Sequence, residues 1–148
     1  MNLEDLQAAV VDASVGIKLF VLEDDSQQAD RLFGRLVTDP STRFFVPDLF
    51  YIECTNILWK YVQRYGYPPE NARQDVADLQ DLALHDFPTA DLVAESLDLA
   101  LLYGVTAYDA SYAALAQRLK LPLVTADQTL AQKLVGRDID IILLHDLN

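Results

Sequence analysis

Residues 107–127 read AYDASYAALAQRLKLPLVTAD. The stretch passes from a helical period, Ala107 to about Leu119, into a short β-type run, Pro122 to Thr125, and then to Asp127. A helix followed closely by a strand is half of a βα repeat, and the same alternation continues in both directions. Upstream, a strand is expected at Ala8 to Val11 and a helix at Ser26 to Thr38, where Ala29, Leu32, Phe33, Leu36 and Val37 recur at helical spacing. Asp39-Pro40 stops that helix. A second strand follows at Arg43 to Val46. Pro47-Asp48 then opens a long helix through Tyr65 that ends at Gly66, and Pro68-Pro69 starts another. In this helix Ala72, Val76, Leu79 and Ala83 are expected on one face, with Asp75, Asp78 and Asp81 elsewhere. A short third strand is expected at His85 to Phe87 and a helix at Ala90 to Tyr103, with Gly104 before the quoted segment. Downstream come a helix from Gln128 to Val135 and a last strand from Asp140 to Leu144. This alternation predicts an α/β fold, a mostly parallel sheet covered on both faces, with no repeat and no linker.

The chain has 148 residues, 51% of them hydrophobic. That suits a single domain, residues 1–148, able to bury roughly two thirds of its unfolded-chain surface. The net charge is −12, which opposes nonspecific binding to nucleic acid. Residues 66–104 alone contribute −7 of it. The longest uncharged run, Leu99 to Tyr108, is far shorter than the ~20 apolar residues of a membrane span, and the start MNLEDLQAAV has no basic region before an apolar one. A cytoplasmic protein is expected. Cys54 is the single cysteine, so no intrachain disulfide and no multi-cysteine zinc site exists. His85 and His145 are too few for a His-rich centre. Any metal must be held by carboxylates, which select hard ions such as Mg²⁺ or Mn²⁺.

Four acids stand where such an ion would be held. Asp12 follows the first strand in VVDAS, and Asp127 follows the fourth in LVTAD; both are at carboxyl ends of strands, where open α/β sheets bind ligands. Each is equally well read as a helix N-cap. Asp109 falls in Thr106-Ala107-Tyr108-Asp109, a capping box sufficient in itself to explain a carboxylate. Glu53 sits inside FYIECTNILW, where a charge is costly unless paired, bound to metal or turned to solvent. If the first and fourth strands are neighbours, Asp12 and Asp127 flank the crevice where the strand order reverses, and the helices carrying Glu53 and Asp109 reach it. Four carboxylates so close would raise one another's pKa values unless divalent cations neutralised them. One or two Mg²⁺ ions there would acidify a water, align it with a phosphodiester and stabilise the leaving oxygen.

These segments together resemble the PIN-domain ribonucleases, and within them the VapC-type toxins of bacterial and archaeal toxin–antitoxin pairs. The resemblance is carried by VVDASVGIKLF near the start, IECTNIL around Glu53, AYDASYAALAQRLKLPLVTAD across Asp109 and Asp127, and IDIILL near the end. It implies a PIN-like three-layer fold with five strands in the order 3-2-1-4-5. It also implies a metal-dependent endoribonuclease, homodimerisation and inhibition by a small antitoxin. Asp12, Glu53 and Asp109 match the family's three acidic positions and Asp127 its more variable fourth; Asn56 and Thr125 become supporting or phosphate-side residues. The chain departs from the pattern in its charge balance and in the lead of residues 1–7.

RNA would need local attraction. Trp59-Lys60-Tyr61-Val62-Gln63-Arg64-Tyr65-Gly66-Tyr67 offers two cations on one helical face with interleaved aromatics, although Tyr61 and Tyr65 equally suit core or partner contacts. Arg31 with Arg35, and Lys18, are lesser candidates. His85-Asp86 and His145-Asp146 read as structural or solvent-facing, and Cys54 as a buried thiol without a base. No G-x-S-x-G, GxxxxGK[ST] or G-x-G-x-x-G motif is present. A receiver-type signalling domain would need an Asp after the third strand and a Lys after the fifth, where Phe87-Pro88-Thr89 and Leu144-His145-Asp146 stand instead. The remaining alternatives are a nuclease for DNA or structured RNA outside a toxin pair, and a non-catalytic interaction module of the same fold.

Overall fold

A computed structural model describes all 148 residues. Five parallel strands, β1 (Ala8–Val11), β2 (Arg43–Pro47), β3 (His85–Phe87), β4 (Leu123–Thr125) and β5 (Ile141–Leu143), form one sheet in the order β3-β2-β1-β4-β5. Between them run α1 (Ala13–Gly16), α2 (Ser26–Thr38), α3 (Leu49–Tyr65), α4 (Pro69–Asp81), α5 (Val93–Tyr103), α6 (Ala107–Leu119) and α7 (Gln128–Leu134). Ala9, Val10 and Val11 of β1 and all of β4 are buried, so the helices cover both faces of the central strands. The expected α/β, PIN-like architecture is the one found. None of the helices is long and apolar enough to cross a membrane.

Two expectations need correction. The helix expected from Ala90 begins as a 3-10 turn, Thr89–Leu92, before α5. Its lead-in is fixed by Asp48, whose carboxylate accepts from the Thr89 amide (3.0 Å) and hydroxyl (2.6 Å) and holds the end of β2 to this turn. On α4, Ala83 lies past the helix end and is exposed, whereas Asp75 turns inward to accept the Tyr67 hydroxyl.

The pairing that positions the site is β1 with β4. Val11 lies opposite Val124, and the Asp12 amide donates to the Val124 carbonyl at 3.3 Å. The strand order therefore reverses between β1 and β4, with Asp12 opposite Thr125 at that point. α1 is pressed against α3 at Gly16, where an added Cβ would stand 2.6 Å from the Phe50 ring. Only a residue without a side chain lets α3 approach so closely. α3 ends at Gly66 in the left-handed region (φ 66°).

Candidate metal centre

Asp12 is 4% exposed. Its Oδ1 accepts from the Ser14 hydroxyl at 2.5 Å and the Val15 amide at 3.3 Å, and its Oδ2 accepts from the Thr125 hydroxyl at 2.5 Å. Ser14 Oγ also accepts the Ala126 amide at 2.9 Å, and Thr125 Oγ1 accepts the Asp127 amide at 3.1 Å. The turns after β1 and β4 are thus tied through one carboxylate. Asp127 caps α7 by accepting the Leu130 amide at 3.0 Å, and Thr106 caps α6 by accepting the Asp109 amide at 3.1 Å. Capping accounts for where these groups stand, but not for what their charges experience.

Burial pushes the Asp12 carboxyl up to about 6; the hydrogen bonds from Ser14, Thr125 and Val15 pull it down, and the Asp109 charge pushes it further up. Glu53, half-buried on α3, is raised by burial and then by Asp109, against a hydrogen bond from the Tyr112 hydroxyl at 2.6 Å. Asp109 is raised by burial and by Asp127, and lowered by Thr106 and Lys133. Asp109 therefore couples electrostatically to each of the other three acids. It shares a small cavity of about 120 Å³ with Asp127 and Lys133, whose Nζ donates to the Gly104 carbonyl at 3.0 Å.

The donor set suits a hard divalent cation in kind, since it is made of carboxylate oxygens with supporting hydroxyls and carries uncompensated negative charge. It is not a closed cage, because no three Asp, Glu, His or Cys side chains stand close enough to converge on one ion. Asp12 and Glu53 spend oxygens on Ser14, Thr125 and Tyr112 instead.

Other candidates fall away. Arg35 is buried and donates to the Leu3 and Leu6 carbonyls, while Lys18 pairs with Glu23 at 3.0 Å and with the Asp24 carbonyl at 2.7 Å, so neither is free for phosphate. Arg31 pairs with Glu4. His85 stacks on Phe45, and His145 meets Asp25. Burial, and behind it the Glu53 and Asp12 charges, pushes the Cys54 thiol far above its ordinary range, which excludes a nucleophilic thiolate. Sequence reasoning missed Tyr112 and Lys133. Tyr112 carried a usable signal, because a tyrosine one helical turn after Asp109 on a buried face needs a partner for its hydroxyl. Lys133 carried none.

The chain is similar to several known proteins. Ribonuclease VapC3 of Pyrobaculum aerophilum is 34% identical over 128 residues, spanning 84% of this chain and 92% of that protein. The crystal structure of PAE2754 from the same organism superposes with a TM-score of 0.66 at 26% identity, covering 95% of this chain and 85% of the other. The fold also matches that of VapBC-5 from Mycobacterium tuberculosis, described as a member of the VapBC family of toxin–antitoxin systems, with a TM-score of 0.54 at 20% identity, over 93% of this chain and 98% of that one. The PIN domain family matches residues 9–134, and the chain belongs to it.

Proposed function

We propose that this chain is a divalent-metal-dependent endoribonuclease of the VapC type, acting as the toxin of a toxin–antitoxin pair. The observation that supports this reading is the pairwise electrostatic influence that links Asp109 to Asp12, to Glu53 and to Asp127, four acids carried by separate elements on the side of the sheet where the strand order reverses. Burial first and repulsion from a neighbouring acid second raise three of them, and Lys133 beside Asp109 is the one cation set against this negative charge. The likeness to a ribonuclease named VapC3 supports the substrate class.

Asp12, Asp109, Glu53 and Asp127 would hold Mg²⁺ or Mn²⁺. When bound, the cation supplies polarisation of a phosphodiester and activation of water. Asp12 is the fixed ligand, because Ser14, Thr125 and the Val15 amide leave its carboxylate little freedom. Asp109 is the hub through which the other acids repel one another. Glu53 is steadied by Tyr112, and Asp127 is set by its own cap. Lys133 places one positive charge at the Asp109–Asp127 edge, where a phosphate oxygen would arrive.

A second copy and a small antitoxin are the proposed protein partners. α5 presents Val93, Leu97 and Leu101 at four-residue spacing, all exposed, together with exposed Leu102, as an apolar face for such contacts.

The test is to incubate the purified protein with total RNA in Mg²⁺ and then in EDTA. Cleavage is expected in Mg²⁺ alone and falls at least about 100-fold in Asp109→Asn, a loss typical of a disrupted metal site. Equal cleavage in EDTA refutes the metal dependence. Full activity in both Asp12→Asn and Asp109→Asn refutes the site.

A further inference from the structure

α3 and the first turn of α6 leave an open groove of about 690 Å³ beside the carboxylates. Ile52, Glu53, Asn56, Trp59 and Lys60 line it from α3, and Tyr108 lines it from α6. Trp59 and Tyr108 are 56% and 67% exposed, and neither packs on another aromatic ring. Such large faces are normally withdrawn from water. Nearby tyrosines behave differently: Tyr61 gives its hydroxyl to Glu23, and Tyr67 gives its own to Asp75. Lys60, like Arg43, Arg64, Lys120, Lys133 and Arg137, makes no ion pair, and it is the cation on the wall of this groove. The groove adjoins the candidate metal centre through Glu53, which lines it, while Asp109 and Asp127 line a separate small cavity.

We infer that this groove is the subsite for an unpaired nucleobase next to the scissile phosphate of single-stranded RNA. Trp59 and Tyr108 supply π-faces, Asn56 an amide able to donate and accept along a base edge, and Lys60 a cation for the neighbouring phosphate. This rests on the ribonuclease reading above and adds the form of the substrate. Three arguments favour a nucleotide over a protein occupant. Exposed rings, a free amide and a free ammonium side by side match the three parts of a nucleotide. The Lys60 ammonium on the groove wall has no carboxylate paired to it, so a phosphate arriving there meets a cation not already spent. An occupant seated against Glu53 is also placed to pass its phosphate to the metal-binding acids. Duplex RNA is excluded from the subsite, since its bases offer no free faces.

Trp59 is the single tryptophan, so its fluorescence reports on the clefts that it lines, this groove and the apolar one between α3 and α4, and the duplex and the KM measurements below separate the two. The Asp109→Asn protein in Mg²⁺ is titrated with hexa-adenylate and with a 12-base-pair RNA duplex, and binding is followed independently by anisotropy of labelled RNA. Hexa-adenylate is expected to quench Trp59 and the duplex to leave it unchanged. In the otherwise unaltered enzyme, Trp59→Ala raises KM for single-stranded RNA about tenfold, as loss of one base–aromatic stack does, with kcat within about twofold; Trp59→Phe restores KM. Trp59 is exposed, so both of its variants are expected to fold. Hexa-adenylate that binds without quenching, or an unchanged KM in Trp59→Ala, overturns the subsite. An unchanged KM with a dimer converted to monomer in sedimentation assigns the groove to a second copy. If the unaltered enzyme cuts no RNA and Asp109→Asn binds none, the ribonuclease reading fails and takes the subsite with it. If RNA is cut but Asp109→Asn binds none, the KM of Trp59→Ala decides.

Discussion

Arg35 and Asp12 are both charges buried in this fold, 9% and 4% exposed, at opposite ends of β1. Near the amino end, the Arg35 guanidinium donates to the Leu3 carbonyl at 2.8 Å, to the Leu6 carbonyl, and to Asp39 at 3.2 Å. Its charge is answered, and the segment before β1 is pinned to α2. At the carboxyl end, Asp12 receives two hydroxyls and an amide but no cation. The first arrangement is complete and serves cohesion. The second is satisfied in hydrogen bonds yet unbalanced in charge, which is the condition a cation would complete.

The comparison breaks most visibly at Arg35. Arg35→Met keeps the apolar stem but takes a charged donor from the Leu6 carbonyl and from the Leu3 carbonyl, which retains only the Leu6 amide at 3.2 Å, and it is expected to lower stability by about 4 kcal/mol, read from the urea midpoint. Cleavage of RNA should be unchanged at a temperature where both proteins are folded. A loss of stability under ~1 kcal/mol would show that the clamp is not needed.

Asp12 should behave in the opposite sense. Its folded pKa of about 6 lies above the ordinary 3.8, so the folded state holds the proton more tightly than the unfolded chain does. Without metal, stability therefore falls as pH rises from about 4 to about 6, by about 3 kcal/mol for this group, and is level above. Glu53 and Asp109 shift in the same direction. Asp39 and Asp48 are held low by hydrogen bonds, from Ser41 and Thr89 first, so their stabilisation is lost only as pH falls below the ordinary carboxylate range. Thermal melts in EDTA between pH 4 and 7 should show the decline. Asp12→Asn should flatten it, and Mg²⁺ should raise the melting temperature more at pH 7 than at pH 5. A stability rising steadily across that window contradicts the contrast.

The smallest effect is expected at Tyr112. Tyr112→Phe removes one hydroxyl from Glu53 and costs about 1 kcal/mol of stability. It should weaken Mn²⁺ binding about tenfold by calorimetry. Unchanged Mn²⁺ affinity would mean that Glu53 needs no support.

Much of the central sheet was legible because its signals are local. Short β-branched runs at 8–11 and 123–125, each followed by Asp and a helical turn, announce both the strand and its exposed end. The positions of Asp12 and Asp127 after those two strands were legible for the same reason. What stayed hidden depends on distant partners. Arg35 reads as one of two cations on an amphipathic helix, and nothing around it says that carbonyls 29 and 32 residues earlier will claim it. Lys18 is lost to phosphate in the same way. Glu53 was recognised as costly, but the group that steadies it lies 59 residues on. Tyr61 and Trp59, two residues apart, parted company because one faces Glu23 and the other open solvent.

The bond from Thr125 to Asp12 joins residues 113 positions apart, and β1 lies between β2 and β4. During synthesis the first acid of the site is made almost at once and then waits for the last quarter of the chain before its carboxylate is fixed. A product truncated before Thr125 keeps Asp12, Glu53 and Asp109, and β2 still pairs with β1, but it lacks the hydroxyl that fixes the Asp12 carboxylate. Order of synthesis thus sets order of assembly: the carboxylate made first in this cluster is among the last to be fixed.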